Sequence, residues 1–256
     1  ALIPRVAIHL NRETNSGIKY DPARDLVALY AAGTGSGSFY REVARTADCA
    51  PEDVVAGDLV LYNNQPGTVW GPEGEFVSAP RLDDLACVFA CTEGVLTAQE
   101  RDMVPVLCVF DNEEIGSETK QGAASVFLPE TLAAISEALG LSAADHRALL
   151  ADSMMLSCDN GHARHPNHPE LADTNEAPVP NGGVVVKHSP RYATDGVSAA
   201  VFTELCRRAE VPVQHYANRP DQMGGATLGN IADTKLPIPT VDIGMAQLAM
   251  HSCFET

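Results

Sequence analysis

From residue 75 onward, short apolar runs of strand length alternate with stretches whose apolar residues recur at helical spacing. This pattern predicts strands at 75–79, 104–110, 213–216 and 240–244, and helices at 82–96, 131–139 and 195–206. The run at 104–110 is entirely apolar or β-branched apart from one proline and one cysteine, as expected of a strand buried on both faces. Alternating strands and helices predict an α/β sandwich, in which ligands bind at the carboxyl ends of the strands.

The first 74 residues have a different texture. Apolar residues alternate with others across 4–10, where Val6, Ile8 and Leu10 share one face, which predicts a half-buried strand. A second short strand is predicted at 58–62, just before a turn rich in Asn, Pro and Gly. Residues 1–74 are therefore expected to form a smaller β-rich domain, and residues 75–256 the main domain.

Composition excludes several classes of protein. The chain has 256 residues, of which 45% are hydrophobic, which argues against disorder. Its net charge of −17 argues against nucleic acid or an anionic membrane as a partner, because both attract basic surfaces. No run of about 18 apolar residues predicts a transmembrane helix. The seven cysteines are scattered without a CxxC pair, which indicates reduced thiols and a cytoplasmic location.

Carboxylates gather at two predicted strand ends. Asp-Asn-Glu-Glu at 111–114 directly follows the apolar run, and Arg-Leu-Asp-Asp at 81–84 lies between a strand and a helix. Adjacent carboxylates suit metal-dependent hydrolysis, where one binds the cation and its neighbour acts as general base. The alternatives are a solvated acidic turn for 111–114 and a helix N-cap for 81–84.

Two histidine-containing segments also follow apolar stretches. Asp159 begins a segment with histidines at 162, 165 and 168, and Asp with His is a donor set that suits zinc. A site made only of these three histidines is disfavoured, because Pro166 and Pro169 prevent a regular helix there. His251 follows the predicted strand 240–244, and a structural role is its alternative. Since strand ends meet at one edge of an α/β sheet, these segments together predict a dinuclear metal site.

The motifs in order resemble those of the aspartyl aminopeptidases of the bacterial type. They are Ile-Pro-Arg-Val-Ala-Ile-His-Leu at 3–10, Arg-Leu-Asp-Asp at 81–84, Phe-Asp-Asn-Glu-Glu-Ile-Gly-Ser at 110–117, Asp-Asn-Gly-His-Ala-Arg-His-Pro-Asn at 159–167, Arg-Tyr-Ala-Thr-Asp at 191–195, Gly-Gly-Ala-Thr-Leu-Gly at 224–229 and Ala-Met-His-Ser at 249–252. The resemblance implies a cytosolic zinc exopeptidase with two zinc ions per subunit. It further implies an α/β/α sandwich around a mixed sheet at 75–256 and an inserted dimerisation domain within 1–74.

The resemblance also assigns roles residue by residue. Asp83 is expected to bridge both zinc ions, with Asp159 completing one ion and Glu114 and His251 the other. Glu113 is expected to be the general base. His9 resembles a histidine that a neighbouring subunit contributes to the active site. Lys187 and Tyr192 resemble substrate-pocket residues, and a lysine could pair with an acidic substrate side chain; an exposed surface lysine is the alternative.

One family feature lies outside this sequence. The family carries a further zinc ligand in a His-x-Asp segment before the dimerisation domain, and no histidine here is followed by Asp two residues on. We therefore expect the sequence to be part of a longer chain. The resemblance implies substrates with an acidic N-terminal residue and a dimer-based homo-oligomer, a dodecamer. The alternatives are a non-catalytic assembly protein of the same family and a two-carboxylate glycosidase, which would leave Asp159 and His251 unexplained.

Overall fold

A computed structural model describes residues 1–33, 35, 37–99, 102–222 and 224–256. The chain divides into two compact units, Ala1–Tyr62 and Asn63–Thr256. This division lies earlier in the chain than the domain boundary expected at 74. The assignment of the first domain to dimerisation stays a prediction.

The described part of the Ala1–Tyr62 unit is built from short helices. These are α1 (Pro22–Asp25) and α2 (Ser38–Thr46), with 3-10 turns at Thr14–Ser16 and Pro51–Asp53. The strands predicted at 4–10 and 58–62 are wrong. Residues 8–10 form a turn, because the N–H groups of Leu10 and Asn11 both donate to the carbonyl of Ala7 instead of joining a ladder. An alternating pattern marks a face, but a strand also needs a neighbouring backbone to pair with.

The Asn63–Thr256 unit contains eight strands among its described residues. They are β1 (Thr68–Trp70), β2 (Phe76–Ser78), β3 (Met155–Cys158), β4 (Gly161–His162), β5 (Val184–His188), β6 (Val213–Ala217), β7 (Thr240–Gly244) and β8 (Ala246–Gln247). Four of them form a mixed sheet in the order β3-β7-β5-β6, with β5 and β7 antiparallel and the other neighbours parallel. β1 and β2 form an antiparallel hairpin, and β4 and β8 form a parallel pair.

The helices of this unit are α3 (Leu82–Thr97), α4 (Phe127–Ala138), α5 (Ala143–Ala151), α6 (Gly196–Arg208) and α7 (Gly229–Asp233). α6 begins at a capping box, in which Asp195 accepts from the Ser198 N–H and the Ser198 hydroxyl accepts from the Asp195 N–H. Its buried side packs on the sheet. The core is Val186, Ala199, Phe202, Cys206, Val241 and Ile243.

The predicted mixed α/β architecture is confirmed, and all three predicted helices and three of the strands after residue 75 are present. The strand predicted at 104–110 is wrong. Val104 is 85% exposed, and the segment joins no ladder in the described part of the chain. Its β-branched composition favours extended backbone, but hydrogen bonding to a neighbouring strand is a tertiary property that composition does not encode. Among the described residues, none of the helices combines the length and apolar character needed to cross a bilayer.

Candidate metal centre

The candidate residues of the Asn63–Thr256 unit converge on one cleft of about 310 Å³. The first turn of α3 supplies Asp83, and a 3-10 turn at Glu113–Ile115 supplies Glu113 and Glu114. Asp159 follows β3 and His251 follows β8. The folded chain therefore brings together side chains from four segments that the sequence predicted to meet.

His251 lies between two carboxylates. Its Nε2 is 3.1 Å from Asp83 Oδ2 and 3.1 Å from Glu114 Oε2. These three residues could share one metal ion, and Asp83, Asp84 and Asp159 form a second such group. Asp83 belongs to both groups, as expected of a bridging ligand. Because its side chain faces His251, and α3 has Arg81 at its N-cap position, the helix-cap interpretation of Asp83 is wrong.

One oxygen of this cluster has no protein partner. Asp83 Oδ1 is buried and accepts no hydrogen bond from the described residues. A buried carboxylate oxygen without a donor is costly, and a cation removes that cost. The donor set of carboxylates with one imidazole matches the ligands that zinc takes in proteins. The residues present thus fit a divalent metal.

Burial and mutual repulsion perturb the cluster. Burial, followed by the nearby charges of Asp159 and Glu114, raises the pKa of Asp83 to about 7. Burial also raises the pKa of Asp84 to about 8. In Glu113, burial and then the charges of Asp159 and Glu114 raise the pKa to about 6. Each carboxylate would ionise more readily beside bound cations, so the arrangement is electrostatically complementary to metal.

Glu113 lies in the cleft but outside both ligand groups. Its raised pKa lies near neutrality, where a carboxylate can both take up and release a proton. The solvated-turn interpretation of 111–114 is therefore incomplete. Only part of the segment is exposed, while Glu113 is half-buried beside the other carboxylates.

Lys187 is buried, so the surface-lysine interpretation is wrong. Its side chain is 2% exposed, and Nζ donates to the carbonyl of Asn160 at 2.6 Å and to Asp159 Oδ2 at 3.3 Å. An ammonium has three N–H donors, so one remains for the cleft that Lys187 lines. Nζ also lies 5.7 Å from the centre of the Tyr192 ring, and burial raises the pKa of the Tyr192 phenol.

The remaining histidines are placed differently. His162 lines the cleft, and burial lowers its pKa. His165 and His168 are exposed, and neither joins a group of metal-binding side chains in the described residues, so a three-histidine site is not formed. His9 is exposed in the turn of the Ala1–Tyr62 unit.

Sequence reasoning missed two further carboxylates. Asp84 accepts the Asn160 N–H at 3.1 Å, and the Asp83-Asp84 doublet was the only signal for it. Glu255 is almost fully buried and bonds to the backbone of two candidate ligands. The peptide bond between Asp83 and Asp84 is cis.

Comparisons with known proteins agree with this donor set. Residues 1–256 match the sequence model of a family described as Aminopeptidase I zinc metalloprotease (M18). The chain is 40% identical over 255 residues to a probable M18 family aminopeptidase 2 of Mycobacterium leprae, covering 99% of this chain and 60% of that protein. It thus spans about three-fifths of the length of the curated relatives it matches.

Two solved structures are also similar. The crystal structure of prApe1 superposes with a TM-score of 0.88 at 30% identity, covering 99% of this chain and 58% of that one. The S. cerevisiae mApe1 dodecamer superposes with a TM-score of 0.74 at 33% identity, covering 85% of this chain and 50% of that one.

Proposed function

Because this chain belongs to the Aminopeptidase I zinc metalloprotease (M18) family, we propose that the intact protein removes single N-terminal residues from peptides with the help of two zinc ions. The observation that carries this proposal is Asp83. It is shared by two groups of metal-binding side chains, and its Oδ1 is buried without a donor among the described residues.

The ligand roles follow from the two groups. Asp83 would bridge the ions, Glu114 and His251 would hold one, and Asp159 would hold the other. Bound zinc would supply a Lewis acid and lower the pKa of a coordinated water to about 7. The fit of the donor set to zinc and the family membership support this assignment.

Glu113 would act as general base. It would accept a proton from the attacking water and deliver it to the nitrogen of the departing amine, so that the peptide C–N bond breaks with the proton balanced. Its position outside both ligand groups and its pKa of about 6 support this role.

The substrate would carry an acidic first residue, Asp or Glu. The free N–H of Lys187 is the cation available to pair with that side chain, and Tyr192 lies beside it. The net charge of −17 repels an acidic peptide at long range, so recognition would depend on this local positive charge.

The protein would act as a dimer-based homo-oligomer, as in a dodecamer. His9 would enter the active site of a neighbouring subunit. One similar protein, S. cerevisiae mApe1, has been solved as a dodecamer, which supports an assembly of this type. All seven cysteines are free thiols, which is consistent with a cytoplasmic location.

Substituting Glu113 tests the proposal. Glu113→Gln should keep the zinc content and lower kcat by roughly 10²- to 10⁴-fold, the usual contribution of a general base. Glu118→Gln, at an exposed position five residues along, is the matched control and should keep full activity. The assay combines metal analysis with hydrolysis of Asp-, Glu- and Leu-terminated peptides.

Three results would count against the proposal. Near-normal turnover in Glu113→Gln would exclude Glu113 as the base. A wild-type protein that binds no zinc would refute the metallopeptidase function itself. Zinc binding without hydrolysis of any peptide would instead favour a non-catalytic assembly protein.

A further inference from the structure

Glu255 is a buried carboxylate that lies behind the candidate metal centre. The residue is 2% exposed. Its Oε1 accepts the backbone N–H of His251 at 2.6 Å, and its Oε2 accepts the backbone N–H of Asp83 at 3.0 Å. One side chain therefore holds the backbones of two residues that lie far apart in the chain, and both are ligands in the proposed function.

The backbone of Glu255 is itself held in place. Its N–H and C=O pair with the C=O and N–H of Ala79, which follows β2 and precedes the first turn of α3. The adjacent Thr256 shares a 2.7 Å hydroxyl contact with Ser78. The carboxylate of Glu255 thus projects from a backbone fixed between the two segments that it joins.

His251 needs such a restraint. Its φ is 64°, in the left-handed region, which costs a residue with a Cβ about 1–2 kcal/mol. A charge-assisted hydrogen bond to its N–H offsets part of this cost and fixes the direction of the side chain. The imidazole then lies 3.1 Å from both Asp83 Oδ2 and Glu114 Oε2.

We propose that Glu255 is a positioning residue that sets the separation and orientation of Asp83 and His251 for zinc. The inference rests on the proposed metal site and deepens it. Glu255 is not itself a ligand, because both of its oxygens accept backbone N–H groups and it is not among the described residues that line the cleft. Partners that orient metal ligands typically contribute 10- to 100-fold to metal affinity.

Glu255→Gln tests this role in the intact protein. The amide keeps the shape of the side chain, but its NH₂ group faces one of the two N–H donors, so one hydrogen bond is lost. Zinc affinity is measured by competition with a chelating dye, and the visible absorption of the Co²⁺-substituted protein reports ligand geometry. Thermal unfolding and circular dichroism establish that the variant is folded.

Ser78→Ala is the matched control. It removes the contacts of the Ser78 hydroxyl with Thr256 and with the Trp70 indole N–H, on the same segment, without touching the N–H of Asp83 or His251. It should lower the unfolding temperature but leave zinc affinity and the Co²⁺ spectrum unchanged.

The expected result is at least tenfold weaker zinc binding and an altered Co²⁺ spectrum in Glu255→Gln alone. Wild-type affinity and spectrum in folded Glu255→Gln would overturn the inference and leave the proposed function standing. Equal weakening in Ser78→Ala would also overturn it, because general loosening of the segment would then suffice. A wild-type protein without zinc affinity would overturn the proposed function, and the inference with it.

Discussion

Asp242 carries a buried hydrogen-bond network whose energy can be measured. The residue is fully buried on β7, and its Oδ1 accepts the hydroxyls of Ser157 and Thr227, each at 2.6 Å. Its Oδ2 accepts the Ala193 N–H at 2.5 Å. The network ties β3 and β7 to two loops at the cleft, one carrying Tyr192 and the other Thr227.

We expect Thr227→Val to lower the free energy of unfolding by about 1.5–3 kcal/mol, the usual contribution of a hydrogen bond to a charged group. Valine matches the shape of threonine, so packing is retained. Ser157→Ala should cost a similar amount for the same reason, with a small additional loss of packing.

The double variant should lose more than the sum of the two single losses. Either hydroxyl alone can still solvate Oδ1, but removing both leaves a buried carboxylate oxygen with neither donor, and its desolvation is then uncompensated. For two side chains that share one partner, a coupling of about 0.5–3 kcal/mol is expected.

Urea unfolding followed by tryptophan fluorescence measures these energies in the correct unit. Trp70 is the only tryptophan, and it belongs to Asn63–Thr256. Thr234→Val is the matched control, because it removes an exposed hydroxyl that donates to the Ile231 carbonyl, and it should change stability by no more than about 0.5 kcal/mol. Single losses within about 0.5 kcal/mol of wild type, or a strictly additive double variant, would refute the reasoning.

Three further predictions address the proposed function. Lys187→Met should reduce the preference for Asp- over Leu-terminated peptides by roughly 10- to 100-fold, as expected for a lost hydrogen bond to a charged group, whereas the exposed Lys235→Met should not; equal loss on both peptides would mean that Lys187 acts through Asp159. His9→Ala should lose activity but keep its zinc, and co-assembly with Glu113→Gln should restore part of the activity, since mixed subunits rebuild complete sites; no restoration would argue that His9 acts within its own subunit. Zinc at about 100 times its Kd should stabilise the metal-free protein by about 2.7 kcal/mol, seen as a higher unfolding temperature; the same rise in Asp83→Asn would show that the ion binds elsewhere.

The local chemistry of the sequence accounts for most elements of the larger unit. α6 has its capping box at Asp195 and its apolar spacing within thirteen residues, so a short window is enough to predict it. The placement of carboxylates and His251 after strand-like runs likewise predicted where Asp83, Glu114 and Asp159 would meet, because strand ends in an α/β sheet share an edge.

Pairing between distant segments was beyond such windows. The runs at 4–10, 58–62 and 104–110 have the composition of strands, yet none pairs as a strand among the described residues. Strand formation depends on a second backbone, and no property of the run itself states whether one is present. β5, which carries the buried Lys187, was missed for the reverse reason.

The sequence by itself determined which side chains are available for the chemistry and roughly which end of the sheet they occupy. Only the tertiary structure decided how they act on each other. It buries Lys187 against Asp159, leaves Asp83 Oδ1 without a donor in the described chain, and places Glu255 behind His251 and Asp83. Desolvation and hydrogen bonding depend on neighbours within a few ångströms, and residues 168 positions apart become such neighbours only when the chain has folded.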